Sequence, residues 1–437
     1  MKNKWYRFMA VFLICITVAG LSACSGGAGP GTSDGPGHGS PSPTFPNGLD
    51  VQQNKKYQDV FNGQEIREVS VTLSEAYWNE ILAAPENEQF YSADITFDGI
   101  EIENVGFRTM GNTDLSDTRA EASARYCFKV KFDKYVDKQK WEGLDEMVLT
   151  NLAKDPSYMR EYLTYEAFRY IGGYAPLATY AKLHVNGEYK GLYLCLEAVD
   201  DSFLKRVFGN NNGNLYKADQ GTTLKDEQSL PLLDQKNGAD ESKTDLAELI
   251  RVLNHMPPGE KGAIERVLDV DSALKYIAVN TALGCYNGYL GKNAENFYLC
   301  GNNGVFSMIP WDYNRAFGGN AKDQGASMTL SPLTPIFNIS DISDRPLVNN
   351  LLAVEEYRTT YESYIKKLTS FLEEIPGRVE ALHTQIGSAV ETDLSAFYPY
   401  TSYCVNIGIS KEADSAGIIS LTAYAEGRAA FLRSLGY

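Results

Sequence analysis

Short stretches in which apolar and polar residues alternate are concentrated in the first half of the chain. Within 125–132, the four aromatic or aliphatic residues at even positions share one face, and Lys129 and Lys131 share the other. This period of two predicts a strand with one face in a core. The same reasoning predicts strands at 68–73 and 147–152.

Two hairpins are predicted on either side of this strand. The dipeptides Asp98-Gly99 and Asn186-Gly187 each separate two apolar runs, and such dipeptides favour two-residue hairpin turns. The hairpins are therefore expected at 93–108 and 180–199.

Helical spacing of apolar residues dominates the second half. It recurs at 245–256, 271–283, 346–374 and 422–435. In the first half the same spacing predicts two helices. A short helix is capped by Ser74 and ends at Pro85, and a longer helix begins at Asp155-Pro156-Ser157 and ends at Gly172-Gly173.

One polar hairpin interrupts the helical half. Its short apolar strands are predicted at 296–300 and 305–309, and they lead into Pro310-Trp311-Asp312. The expected fold is α+β with a strand-rich N-terminal lobe at 49–199, a helix-rich C-terminal lobe at 200–437, and a cleft between them.

The N-terminus has the pattern of an export signal. Three basic residues precede an uncharged apolar run at 8–20, which is too short to remain as a membrane span, and Leu21-Ser22-Ala23-Cys24 follows. This ending resembles a bacterial lipobox, so we expect removal of 1–23, a lipid on Cys24, and attachment to a membrane outside the cytoplasm. An ordinary cleaved signal with a chance cysteine is the alternative. Residues 24–48 are rich in Gly, Ser and Pro, which predicts a flexible tether.

The net charge and the cysteine content restrict the expected binding partners and disulfide bonds of the chain. The 437 residues carry a formal net charge of −16, which argues against nucleic acid as a partner. Five cysteines remain after Cys24, in apolar surroundings and without CxxC spacing. We interpret them as buried thiols, with one disulfide as the open alternative outside the cytoplasm.

Several polar residues are candidates for chemistry on their residue types alone. Arg108 and the Gly111-Asn112 turn follow a strand and suit an anion, although a plain turn is the favoured interpretation of this motif taken alone. Lys129 either faces solvent or reaches into a cleft. Asn296 and Asp312 flank the late hairpin and supply the oxygen ligands that Mg²⁺ prefers, with loop capping as the alternative.

The motifs along the chain, in their order, resemble those of the spore coat protein H (CotH) kinase family. The resemblance runs from residue 68 to the C-terminus and rests on these segments: Arg108-x-x-Gly111-Asn112, Phe128-Lys129-Val130-Lys131-Phe132, Asp155-Pro156-Ser157-x-x-Arg160, Val185-Asn186-Gly187-Glu188-Tyr189-x-Gly191-Leu192-Tyr193, Glu197, Asn214-Leu215-Tyr216-Lys217, Asn296-Phe297-Tyr298-Leu299, Ile309-Pro310-Trp311-Asp312-Tyr313-Asn314 and Leu347-Val348-x-x-Leu351-Leu352-x-x-x-Glu356-Tyr357-Arg358.

The resemblance implies an atypical protein-kinase-like fold that uses ATP and Mg²⁺ to phosphorylate protein side chains. The Gly111-Asn112 turn would then cover the phosphates, and Lys129 would pair with them. Glu166 is the candidate acidic partner of Lys129, and Glu197 would lie near the hinge between the lobes.

The metal ligands implied by the resemblance are Asn296 and Asp312. One departure concerns catalysis: the family usually has Asp in the turn where this chain has Tyr286-Asn287-Gly288-Tyr289. An amide at Asn287 cannot accept the proton of the substrate hydroxyl as a carboxylate does.

Three classes of function therefore stay open. The first is an active kinase for Ser or Thr of envelope or coat proteins, and the second is a weak or inactive pseudokinase that binds nucleotide or a partner. The third is a surface adhesin or sugar-binding protein, suggested by the many tyrosines.

Overall fold

The computed structural model describes residues 55–111, 118, 123–239, 242–319, 324–410 and 419–437. All of them fall in one compact unit, Leu49–Tyr437. The predictions for the export signal, the lipid on Cys24, the tether and Asn112 lie outside the described residues. None of the described helices combines the length and apolar character needed to span a bilayer.

A closed seven-stranded barrel occupies the first half. Its neighbouring strands follow the order β1-β2-β3-β4-β5-β7-β6. The parallel pairing of β1 with β6 closes the ring, and the other neighbours are antiparallel. The strands are β1 Arg67–Thr72, β2 Tyr91–Phe97, β3 Ile100–Thr109, β4 Phe128–Lys131, β5 Glu146–Thr150, β6 Ala178–Val185 and β7 Glu188–Glu197.

The local signals in this half are confirmed. Asp98 and Gly99, like Asn186 and Gly187, have positive φ angles, as the favoured hairpin turns require. The even positions of 126–132 are at most 4% exposed, so the predicted apolar face does line a core. Helix α1 spans Lys55–Phe61, and α2 spans Glu75–Ala83 with the Ser74 hydroxyl accepting the Tyr77 N–H at 3.2 Å.

The second half combines helices with a four-stranded sheet. The sheet has the order β11-β10-β8-β9 and is antiparallel throughout. Its strands are β8 Asn214–Ala218, β9 Leu233–Asn237, β10 Phe297–Asn302 and β11 Val305–Pro310. The helices, with one from the first half, are α3 Arg160–Tyr170, α4 Asp201–Phe208, α5 Thr244–Asn254, α6 Val270–Ala282, α7 Gln324–Met328, α8 Pro346–Ala353, α9 Glu355–Glu391, α10 Tyr400–Ile407 and α11 Leu421–Ser434; short 3₁₀ turns occur at Pro85–Asn87, Glu227–Leu232, Ile264–Arg266 and Ile342–Asp344. The predicted α+β class is confirmed.

Two predicted helices differ from the observed ones. The 346–374 helix is divided at Val354, whose backbone is extended, and α9 then continues to Glu391. Asp155 does not open α3 directly, because its carboxylate accepts the backbone N–H groups of Ser157 and Arg160 before the helix begins. Strands β8 and β9 were not predicted.

Strand β7 belongs to both apolar cores. Its even residues 192–196 pack in the core of the helical half, and its odd residues Tyr193 and Cys195 pack inside the barrel. A strand with two buried faces is an uninterrupted apolar run. The barrel and the helical half therefore share a wall. All five cysteines of the described chain are free, as the interpretation as buried thiols requires; four are buried and Cys404 is half-buried.

Candidate active site

A cavity of about 910 Å³, the large cavity, opens between the barrel and the four-stranded sheet. Strands β3 to β5 supply one wall. The opposite wall comes from β8, β9 and the loops around residues 287–296 and 311–315. Of the predicted site residues, Arg108, Gly111, Lys129, Asn287, Asn296 and Asp312 all line it.

Lys129 lies in the large cavity and forms an ion pair with Glu146. Glu146 follows from the barrel register, because it pairs with Lys131 on β4 and so lies diagonally opposite Lys129. The expected partner, Glu166, instead contacts Arg378 at 3.2 Å and does not line the cavity. The assignment of Glu166 is therefore wrong, since its helix faces α9 rather than the barrel lysines.

Lys217 is a second cation in the large cavity that the sequence reasoning did not single out. Its pKa is lowered, first by burial and then by the nearby charges of Lys236 and Lys129. A cluster of cations that depress one another's protonation gains stability when an anion binds. Lys217 occurs in the Asn214-Leu215-Tyr216-Lys217 motif, which could have drawn attention to it.

The predicted anion site at Arg108 and Gly111 already holds a carboxylate of the chain. Glu88 forms an ion pair with Arg108, and its Oε1 accepts the Gly111 N–H at 2.8 Å. Gly111 has a φ of 115°, a conformation that favours glycine. A phosphate that used these donors would have to displace Glu88.

Glu197 is fully buried and does not line the large cavity. Its carboxylate accepts hydrogen bonds from the Tyr57 hydroxyl and the Arg206 Nε, each at 2.8 Å, and from the Leu177 N–H at 3.1 Å. We also expected Glu197 to contribute to cofactor binding, and this expectation is wrong because its carboxylate does not face the cavity. Through these hydrogen bonds Glu197 stabilises the end of β7. The next three residues, 198–200, line the large cavity.

Asp312 and Asn296 lie in the large cavity with φ angles of 59° and 60°. The Asn296 amide donates from Nδ2 to the Asn287 carbonyl at 2.8 Å. Close by, the Oδ1 of Asn314 is buried without a hydrogen-bond partner. No cluster of three His, Cys, Asp or Glu suited to a metal occurs in the described part of the chain, but one carboxylate with amide oxygens fits a hard cation such as Mg²⁺.

Glu161 is another functional candidate that sequence reasoning missed. It lies in the first turn of α3, is 4% exposed, lines the large cavity, and accepts the Tyr313 N–H at 3.3 Å. Burial, followed by the neighbouring charge of Asp312, raises its pKa to about 8. The buried ion pair between Asp155 and Arg160 fixes the start of α3, so the Asp155-Pro156-Ser157-x-x-Arg160 motif was the available signal.

Comparison with known proteins places these residues in a family context. The sequence model of a family described as CotH kinase protein matches residues 107–432. The inner spore coat protein H of Bacillus subtilis is 26% identical over 266 residues, which are 58% of this chain and 71% of that protein. Two invasins of Rhizopus delemar, CotH7 and CotH3, are 22% and 24% identical over 66% and 56% of this chain. This chain spans 49% and 44% of the length of these invasins.

Two solved structures show lower similarity. A chain of the HipA–HipB toxin–antitoxin complex with operator DNA from Shewanella oneidensis has 11% identity and a TM-score of 0.34, covering 84% of this chain and 80% of that one. The Helicobacter pylori proinflammatory kinase CtkA has 10% identity and a TM-score of 0.26, covering 62% and 92%.

Proposed function

The chain belongs to the CotH kinase protein family, and from this membership we propose that it binds ATP with Mg²⁺ in the large cavity and transfers the γ-phosphoryl group to Ser or Thr of an envelope protein. We further propose that a lipid on Cys24 holds it at a membrane outside the cytoplasm.

One observation carries the enzymatic proposal: the large cavity brings lysines of the barrel and of the sheet together with the oxygen ligands Asp312 and Asn296. Lys129 and Lys217 line it from the barrel and the sheet, and Asp312 is close enough to Lys217 to influence its pKa. Phosphoryl transfer needs chiefly positioning and charge neutralisation, which this arrangement supplies.

The residues that line the large cavity have separate roles, which follow from the chemistry of their side chains. Lys129, held by Glu146, and Lys217 bind phosphate oxygens. Asp312 and Asn296 would hold Mg²⁺, which neutralises charge on the phosphates when it is bound. Asn287 lies at the same cavity and can orient an acceptor hydroxyl by a hydrogen bond, although its amide cannot take the proton.

A second function, nucleotide binding without effective transfer, is favoured by Asn287 itself. A positioned base is worth about 10²–10⁴ in rate, and the family usually has a carboxylate at this turn. A pseudokinase would keep Lys129, Lys217 and Asp312 for binding and lose only the chemical step.

The test is transfer of label from γ-labelled ATP to envelope proteins, with calorimetry of ATP binding in parallel. Labelling that needs Mg²⁺ and is lost in Asp312→Asn supports the kinase. Binding of ATP without labelling by the wild type supports the pseudokinase, and absence of both rejects nucleotide chemistry. Glu166→Gln is the matched control, because this carboxylate lies outside the cavity and should leave both measurements unchanged.

A further inference from the structure

A second, smaller cavity of about 180 Å³ adjoins the large one. The smaller cavity shares Asn287, Asn293 and Arg315 with the large cavity. It continues past Asn287 to a floor where the rings of Tyr286 and Phe337 stack with centroids 4.7 Å apart. Asn287 therefore stands where the two cavities meet.

The two cavities carry opposite charge. Lys292 and Arg315 are the only charged side chains among the described residues that line the smaller cavity. Eleven carboxylates and seven cationic side chains of the described residues line the large cavity. An acidic peptide is repelled by the large cavity unless cations fill it, and it is attracted to the smaller one.

Arg315 is available to bind an anion. Within the described residues its guanidinium forms neither an ion pair nor a hydrogen bond, and it lines both cavities. No carboxylate of the described residues pairs with this guanidinium, so it can pair with a bound anion. A bidentate carboxylate is the ligand that its planar fork suits best.

Lys292 is exposed on a turn that the protein holds in place. The buried Arg345 donates from Nε to the Tyr289 carbonyl at 2.6 Å and from Nη2 to the Lys292 carbonyl at 3.3 Å. The backbone that carries this cation is therefore fixed relative to Asn287, which suits a specific contact more than a diffuse surface charge.

We propose that the smaller cavity binds the accepting segment of the protein substrate, and that this segment is acidic, with Asp or Glu beside the accepting Ser or Thr. This inference rests on the proposed function and names its substrate class. The carboxylates contact Lys292 and Arg315, the backbone lies over the Tyr286 and Phe337 rings, and the hydroxyl reaches Asn287. The hydroxyl oxygen then bonds to the γ-phosphorus, the bond from that phosphorus to the β-phosphate oxygen breaks, ADP keeps the electron pair, and the hydroxyl proton passes to water.

The experiment compares two short peptides, one with a Ser flanked by Asp and Glu and one with Lys and Arg in their place. The wild type should phosphorylate the acidic peptide in preference. Lys292→Glu should raise the KM for the acidic peptide roughly tenfold, about 1.4 kcal/mol of binding, and leave kcat and the KM for ATP unchanged. Lys138→Glu is the matched control, because this exposed lysine has the same charge change and lines neither cavity.

Binding is measured separately, by fluorescence anisotropy of the labelled peptides with the whole protein, Mg²⁺ and a non-hydrolysable ATP analogue. Selective binding of the acidic peptide that Lys292→Glu weakens supports the inference, with or without transfer. Selective binding with no transfer overturns the proposed kinase activity alone. Equal use of both peptides, binding of neither, or the same result for Lys292→Glu and Lys138→Glu overturns the acidic acceptor site.

Discussion

The buried ion pair between Arg125 and Asp393 should be costly to break. Arg125 Nη1 lies 2.6 Å from Asp393 Oδ2, and the two side chains are 2% and 0% exposed. The same carboxylate accepts the Leu192 N–H at 3.0 Å, which ties the segment after α9 to the shared strand β7. Asp393→Asn keeps the shape but leaves the Arg125 charge buried and unpaired, which should cost about 3–5 kcal/mol of unfolding free energy.

The pH dependence of this loss has a defined sign. Burial acts to raise the pKa of Asp393, but the charge of Arg125 and hydrogen bonds from Ser395 and Leu192 outweigh it and hold the pKa below its ordinary value. A carboxylate with a lowered pKa stabilises the fold above its unfolded pKa of about 3.9, and this contribution is lost as the pH falls through the folded pKa. The difference between the wild type and Asp393→Asn should therefore be full at neutral pH and shrink in acid.

Urea unfolding followed by circular dichroism at several pH values measures both effects. Glu373→Gln is the control, because its pair with Arg433 is exposed to solvent and should contribute little to stability. A loss for Asp393→Asn no larger than that of Glu373→Gln at neutral pH would refute the reasoning, as would a loss that stays constant into acid.

Four further predictions concern the residues and the metal ion of the large cavity. Lys129→Met should lower transfer about 10²–10³-fold by removing a charge that stabilises the phosphates, measured with labelled ATP. Glu88→Ala should lower the KM for ATP, because Arg108 and the Gly111 N–H no longer hold an internal carboxylate; an unchanged KM would mean that the phosphates bind elsewhere. Asn287→Asp should raise kcat, by up to about 10⁴-fold if the missing base alone limits the rate, and no gain would place the limit elsewhere. Chelation of Mg²⁺ with EDTA should abolish transfer, and Mg²⁺ in excess should restore it.

Features that depend on neighbours in sequence were predictable. The two hairpins follow from Asp98-Gly99 and Asn186-Gly187, because only residues that accept positive φ suit those turns. The inward face of 126–132 follows from its period of two. The same period places Lys129 opposite the core and left solvent or a cleft as alternatives, and Lys129 lines the cavity. The position of Asp312 in the cavity was predictable, because this carboxylate comes shortly after the end of the buried strand β11.

Features that depend on how distant elements meet were not predictable. The partner of Lys129 is set by the register of β4 against β5. Val148 lies directly opposite Lys129, and the ion pair is formed by Glu146, two positions away, and not by Glu166. Glu161 looks like an ordinary acidic residue in a first helical turn, and only burial against the Asp312 loop makes it unusual. The carboxylate of Glu88 reaches Gly111 through a turn whose path the sequence pattern does not indicate.

Closure of the barrel has a practical consequence for where the protein can be cut. The family match begins at residue 107, inside β3, whereas the ring begins at Arg67 and is closed by β1 against β6. A shortened protein that starts at the family boundary lacks β1, β2 and most of β3, so β4 and β6 become open edges that invite pairing between molecules. Recombinant production should therefore start ahead of Lys55, which keeps α1 and the strands that close the ring, because a protein that starts beyond Arg67 exposes unpaired strand edges.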